Sequence, residues 1–140
     1  MIARDLMTPD PLTVTPKTTL AEVWDLIREA EVRHLPVVEG GTLVGMLSDR
    51  DLARVDMARL LKTHGANALR EALASPIIEV MTTQVVAVEP ETEVGDVIGL
   101  LIDHRIGAVP VIDAGSREVL GIISYVDVLR ALQSVLEEEA

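Results

Sequence analysis

The chain has 140 residues, 49% of them apolar, and a net charge of −11 with a pI near 4.6. That size fits one compact domain or two small units sharing a core, and the apolar share excludes a disordered polymer. An acidic field with only Trp24 and Tyr125 as aromatic side chains excludes a nucleic-acid polymer as partner. The absence of cysteine excludes disulfides, thiolate metal sites and cysteine nucleophiles; with no apolar run of the ~20 residues that span a bilayer, a soluble cytoplasmic protein without membrane contact is expected.

In chain order, Leu12 to Thr15 reads as a short strand stopped by Pro16. Thr18 or Thr19 then caps a helix whose apolar face is Leu20, Val23, Ile27 and Ala30. Leu35 to Val38 and Leu43 to Leu47 form a hairpin around a glycine turn, and Ser48 sits where strand gives way to helix, with Asp51 three residues on. Residues 53 to 74 read as one or two linking helices broken near Gly65 and closed by Ser75-Pro76. The pattern then returns: a strand at Val85 to Glu89 before Pro90, a helix on Val94, Val97, Leu101 and His104, strands Val109 to Ile112 and Val119 to Ile123, then Ser124 and Asp127. Glu137, Glu138 and Glu139 end the last helix where its dipole disfavours anions, which predicts a frayed acidic tail over 134–140.

This return is an internal duplication. Met7-Thr8, Pro16, Thr18 and Leu35-Pro36-Val37 recur as Met81-Thr82, Pro90, Thr92 and Val109-Pro110-Val111 at one constant offset. Gly45-Met46-Leu47-Ser48 and Asp51 recur as Gly121-Ile122-Ile123-Ser124 and Asp127, two residues later, so the second hairpin has lengthened near Gly115-Ser116. The charge is uneven: residues 1–74 carry 9 basic and 11 acidic side chains, whereas residues 75–140 carry 3 and 12. Ser-x-x-Asp at a helix start is also a plain capping pattern. His64 and His104 lack a second ligand at metal spacing, and no triad, glycine-rich phosphate loop or catalytic carboxylate pair can be placed, so no enzyme activity and no metal are expected.

Two β-α-β-β-α copies, each with a Pro-containing apolar strand followed by Gly-h-h-Ser-x-x-Asp (h apolar), resemble a tandem pair of CBS domains, a Bateman module. The resemblance divides the chain into repeat 1 (1–62), a helical linker (63–74), repeat 2 (75–133) and the tail (134–140). It implies an α/β (α+β) fold in which two repeats pack through their sheets about a pseudo-twofold axis. The implied activity is non-catalytic: an energy-sensing regulatory module that binds AMP, ADP or ATP between the repeats and signals through homodimer geometry to a separate effector protein. The alternatives are a module for S-adenosylmethionine and a ligand-free dimerisation scaffold.

Residue by residue, the resemblance implies one site made of Ile122, Ser124 and Asp127 with Thr15, Leu20, Val32, Arg33 and His34. A second, weaker site combines Met46, Ser48, Arg50 and Asp51 with Glu89, Val94, Gly107 and Ala108. The chemistry suits these types. A carboxylate in the first helical turn can accept from both ribose hydroxyls, serine and free amides at the helix start suit phosphate, aliphatic side chains can flank adenine, and Arg33 with His34 supplies positive charge. Glu89 and Gly107-Ala108 make the weaker site less favourable to phosphate. Trp24 is expected to be an interface or core anchor.

Overall fold

The computed structural model describes residues 1–139, which fall into two compact units. In chain order the elements are α1 (Ala3–Leu6), β1 (Thr8–Pro9), α2 (Leu20–Ala30), β2 (His34–Glu39), β3 (Thr42–Ser48), α3 (Asp49–Ala53), α4 (Met57–Ala74), a 3₁₀ turn at Ile77–Glu79, α5 (Val94–His104), β4 (Ala108–Ile112), β5 (Val119–Ser124) and α6 (Tyr125–Glu139). Helices and short antiparallel strands alternate in each copy, which is the α+β class expected.

One unit holds Leu12–Glu39 and Val44–Gln84. Thr19 starts α2 by accepting from the Glu22 amide at 3.2 Å, while Glu22 accepts from the Thr19 amide at 2.9 Å. This reciprocal cap satisfies two amide donors that the helix itself leaves open. The buried face of α2 is Leu20 and Val23, with Leu26 and Ile27 partly covered. Ala30 lies outside that face and is exposed, because the helix closes at Glu31 in a left-handed conformation (φ 55°). β2 and β3 form a hairpin through Gly40 and Gly41, both at positive φ (58° and 82°), the tight turn whose twist matches flanking strands. Val14, Leu20, Val23, Leu35, Val37, Leu47, Leu52 and Ile77 make this unit's core.

The other unit holds Met1–Pro11, Gly40–Leu43 and Val85–Ala140. Its sheet runs β1-β5-β4, with Thr8 opposite Ile122 and Ala108 opposite Ser124. Ala3, Val88, Val97, Leu101, Val109, Val111 and Ile123 form the core. His104, expected on the apolar face of α5, is exposed in the last turn of the helix, just before the chain reverses at Arg105 (φ 53°). The longer second hairpin is tied by Asp113, which accepts from Gly115 N and from Ser116 N and Oγ at 3.0–3.1 Å. Hydrogen bonds from the Ser116 amide and hydroxyl hold the Asp113 carboxyl below the usual carboxylate range.

Two sequence expectations change and one, the broken linker, holds. The strands at Leu12 to Thr15 and Val85 to Glu89 shrink to single parallel bridges, Val14 to Val37 and Val88 to Val111, because Pro16 and Pro90 follow almost at once and leave no room for a second bonded pair. The linker is as expected: Met57–Ala74 (α4) is two helical stretches that meet at a non-helical Gly65 (φ 86°, ψ 178°), and it buries no residue fully. Finally, the glutamates do not fray: α6 continues through Glu139, and Ala140 lies outside the described residues. Glutamate propagates helices well, which outweighs the unfavourable dipole at an exposed end.

The compact units also exchange their starts relative to the sequence repeats. Met7-Thr8 of the first copy pairs with β5 of the second, and Met81-Thr82 of the second pairs with β3 of the first, Thr82 N and O both bonding Met46 at 2.9 Å. Each close approach needs a glycine. A Cβ on Gly121 would lie 2.5 Å from Met7 Sδ and 2.9 Å from Thr8 O; one on Gly45 would lie 2.9 Å from Met81 Sδ and 3.0 Å from Thr82 O.

Candidate functional site

The two Ser-x-x-Asp segments fold alike. Asp51 Oδ2 accepts from Ser48 N (2.9 Å) and Ser48 Oγ (3.1 Å), and the Asp51 amide donates to Ser48 Oγ at 3.2 Å. Asp127 Oδ2 accepts from Ser124 N (2.8 Å) and Oγ (3.1 Å), with the Asp127 amide donating back at 3.3 Å. Each carboxylate is thereby fixed at a helix start before any ligand arrives. Their surroundings differ. Asp51 is only 6% exposed, its Oδ1 accepts from Thr82 Oγ1 at 3.4 Å, and Arg54 lies 3.9 Å away. Asp127 is half-buried and therefore more accessible.

The backbone brings the segment before each proline strand to the same helix start within its own unit. Asp49 N donates to Arg33 O, and Tyr125 N donates to Gly107 O, both at 3.0 Å. Arg33-His34 is therefore beside Ser48–Asp51, and Gly107-Ala108 is beside Ser124–Asp127. The resemblance assigned Arg33 and His34 to the site of Asp127; in the structure their unit is that of Asp51, the same unit that holds Thr15, Leu20, Val32, Met46, Ser48 and Arg50. Glu89, Val94, Gly107, Ala108, Ile122, Ser124 and Asp127 belong to the other. Leu20 is buried, Val32, Met46, Val94 and Ile122 are half-buried, and Thr15, Arg33, Arg50 and Glu89 are exposed.

Thr15 and Glu89 occupy equivalent turns, their amides donating to Thr18 Oγ1 and Thr92 Oγ1 at 3.1 Å. Beside Thr15 an open groove of about 410 Å³ is lined by Thr13, Val14, Thr18, Glu22, Asp25 and Leu26. Thr82 is the contact that sequence reasoning missed. Its signal was present in the recurring Met-Thr pair, but nothing in the spacing shows that this pair crosses to the other copy's strand.

His34 is half-buried, and burial first, then the Arg33 and Arg50 guanidinium groups, push its pKa below the ordinary value against the opposing pull of Asp49 and Asp51. A lowered folded-state pKa means that the unfolded chain binds the proton more readily. This contribution to stability is complete above about pH 6.5 and is lost as pH falls through that value toward the folded one. Thermal melts between pH 7.5 and 5.5 should therefore fall more steeply for the wild type than for His34→Gln, and parallel curves would count against this account.

Among the described residues no group of three or more potential metal-ligating side chains occurs, and no helix is long and apolar enough to cross a membrane.

Two β-α-β-β-α copies, each presenting a serine-fixed carboxylate at a helix start beside a proline strand, define a duplicated regulatory-type module. The CBS domain model matches residues 3–58 and 77–134, and the chain belongs to the CBS domain family. It is 34% identical over 124 residues to the CBS domain-containing protein YhcV of Bacillus subtilis, covering 89% of this chain and 80% of that one. Some other curated relatives are longer, the chain spanning 44% of one and 23% of another. Among solved structures, CBSX2 in complex with AMP superposes with a TM-score of 0.79 at 29% identity, covering 96% of this chain and 97% of that one. The CBS domain pair of protein MJ0100, in complex with 5′-methylthioadenosine and S-adenosyl-L-methionine, has a TM-score of 0.77 at 25% identity, with 94% and 99% covered.

Proposed function

We propose that the chain is a non-catalytic regulatory module that binds an adenosine nucleotide and signals to a separate effector as a homodimer. The observation that carries this reading is the pair of carboxylates, Asp51 and Asp127, each immobilised by its serine, together with the likeness to the AMP complex of CBSX2. A preorganised carboxylate binds ribose hydroxyls without first losing side-chain freedom. Asp127 is the better ribose anchor because it is the more exposed and Thr82 does not compete for it. In the unit of Asp51, Arg33, His34 and Arg50 supply positive charge for a phosphate and Leu20 and Val32 are aliphatic candidates for adenine; in the unit of Asp127 the aliphatic candidate is Ile122. A bound phosphate beside His34 favours its protonated form, opposing the lowering that burial imposes.

A second reading, S-adenosylmethionine, is favoured by the surroundings of Ser124–Asp127, where Gly107 and Ala108 bring no cation and Glu89 adds an anion to the same unit. A sulfonium ligand tolerates that field better than a phosphate does.

Calorimetry with AMP, ADP, ATP and S-adenosylmethionine separates the readings. Asp127→Ala is expected to weaken the ligand that binds by about 10- to 100-fold, the loss of a charge-assisted pair of hydrogen bonds. If none of the four binds below about millimolar, the sensor reading fails and a ligand-free scaffold replaces it.

A further inference from the structure

Four residues recur at matching places around each serine-bound carboxylate, and each set stays within one compact unit: Ser48, Asp51, Arg54 and Thr82 in one, Thr8, Ser124, Asp127 and Arg130 in the other. The backbones match. Thr82 N and O each bond Met46 on β3 at 2.9 Å, and Thr8 lies opposite Ile122 on β5. The side chains do not match. Thr82 Oγ1 donates to Asp51 Oδ1 at 3.4 Å, and the Arg54 guanidinium stands 3.9 Å from the same oxygen. With Oδ2 held by Ser48, both oxygens of Asp51 are engaged, and the residue is only 6% exposed. Asp127 is half-buried, Ser124 holds its Oδ2, and among the described residues neither Thr8 nor Arg130 bonds it. One set of parts is therefore present in two arrangements, closed over Asp51 and open at Asp127.

We propose that Thr82 is a latch on Asp51: this carboxylate accepts a ligand's hydroxyl only after the Thr82 hydroxyl has turned away, so its unit selects ligands that bring both a hydroxyl donor and an anion. Turning is local. The Thr82 backbone is fixed on β3, so the latch opens by rotation of one side chain between staggered positions, without movement of the strand. Thr82 is exposed, which leaves room for that rotation. The hydroxyl rather than the guanidinium is the latch, because the Arg54 side chain is 74% exposed and such an ion pair contributes little. A ligand hydroxyl must replace a bond that already exists, which costs about 10-fold in affinity relative to an open carboxylate. Charge supplies the offset. The bond from Asp49 N to Arg33 O sets Arg33 and His34 beside Ser48–Asp51, where they favour an anion, whereas Gly107-Ala108 hold the matching place beside Asp127. A hydroxyl donor without a phosphate gains nothing from that charge, and a phosphate without a hydroxyl cannot replace Thr82. The unit of Asp51 therefore takes nucleoside phosphates and discriminates against the uncharged nucleoside.

This inference rests on the nucleotide reading of the two carboxylates, and the two can fail separately. Calorimetry of the Asp127→Ala chain, in which Asp51 is the remaining ribose anchor, reads the latch directly. In that chain Thr82→Val, which keeps the shape and removes the donor, should tighten AMP about 10-fold, and Thr82→Ser, which keeps the hydroxyl, should not. The Asp127→Ala, Thr82→Val chain should also bind AMP at least about 10-fold more tightly than adenosine. Melting separates a latch from a merely structural contact. Without ligand, Thr82→Val should melt below its parent; with AMP, its midpoint should rise further than the parent's. Should valine disturb the pairing with Met46, Thr82→Ala removes the same hydroxyl with a smaller group. Equal AMP affinity with and without the Thr82 hydroxyl, equal tightening by serine and valine, or equal binding of AMP and adenosine each overturns the latch while leaving the nucleotide reading in place. A wild-type chain that binds no AMP overturns both.

Discussion

Gly121→Ala is expected to destabilise the chain by about 3 kcal/mol, at the upper end of the usual cost of overpacking, and to lower the thermal midpoint by about 10 °C. The added methyl meets Met7 Sδ at 2.5 Å, Met7 Cγ at 2.9 Å and Thr8 O at 2.9 Å, all far inside van der Waals contact. The sulfur can move, since methionine has three rotatable bonds. The Thr8 carbonyl cannot, because β1 is held in register on β5. Combining Gly121→Ala with Met7→Ala should therefore recover part of the loss and no more, a coupling that a double-mutant cycle measures. Gly45→Ala should cost less, since its nearest contacts are 2.9 Å to Met81 Sδ and 3.0 Å to Thr82 O. If the two alanine variants melt with the wild type, the close approach of each Met-Thr segment to its strand is not as described.

Asp51→Ala should cost about 2–4 kcal/mol, combining the loss of a helix cap with a partly buried amide and hydroxyl left without their acceptor. Ser48 N, Ser48 Oγ and Thr82 Oγ1 all donate to this one carboxylate, which is 6% exposed. Asp51→Asn should retain part of that stability, because the amide oxygen can still accept from Ser48 N. The equivalent Asp127→Ala should be milder, because water reaches the half-buried site and replaces the lost acceptor. Chemical denaturation of the three variants gives the ranking directly, and an Asp127→Ala variant less stable than Asp51→Ala would contradict it.

The contrast between the two aspartates shows where sequence reasoning reached and where it stopped. The duplication, the Thr19 cap, the hairpins and both Ser-x-x-Asp helix starts depend on contacts among near neighbours, so residue type and spacing reveal them: Thr19 with Glu22, Ser48 with Asp51, and Gly40 with Gly41. Thr82 on Asp51 and Met7 on Gly121 join residues remote in sequence, and no periodicity records such a pairing. The apolar positions at Leu12 to Thr15 correctly mark a buried Val14, but whether a second residue also bonds depends on the Pro16 turn. Arg33 and His34 were legible as a positive patch in the less acidic half of the chain. Their nearness to Asp49 and Asp51 was not, because the hairpin that returns Ser48 to Arg33 must first be formed.

The exchanged starts set an order in time. The unit spanning Leu12–Glu39 and Val44–Gln84 has all of its chain available once Gln84 has been synthesised, and Thr82 can then close on Met46. The other unit joins the segment before Leu12 to the segment after Gln84: Thr8 must wait for Ile122, and Ala3 for Thr92. Closing a loop that long loses chain entropy before its contacts repay it, which slows the step. During that interval Met7, Leu6 and the free edge of β1 have no partner strand, and such a segment is where a nascent chain is most open to mispairing with a neighbour. The segment before Leu12 is made ahead of both units and finds its place only with the later one.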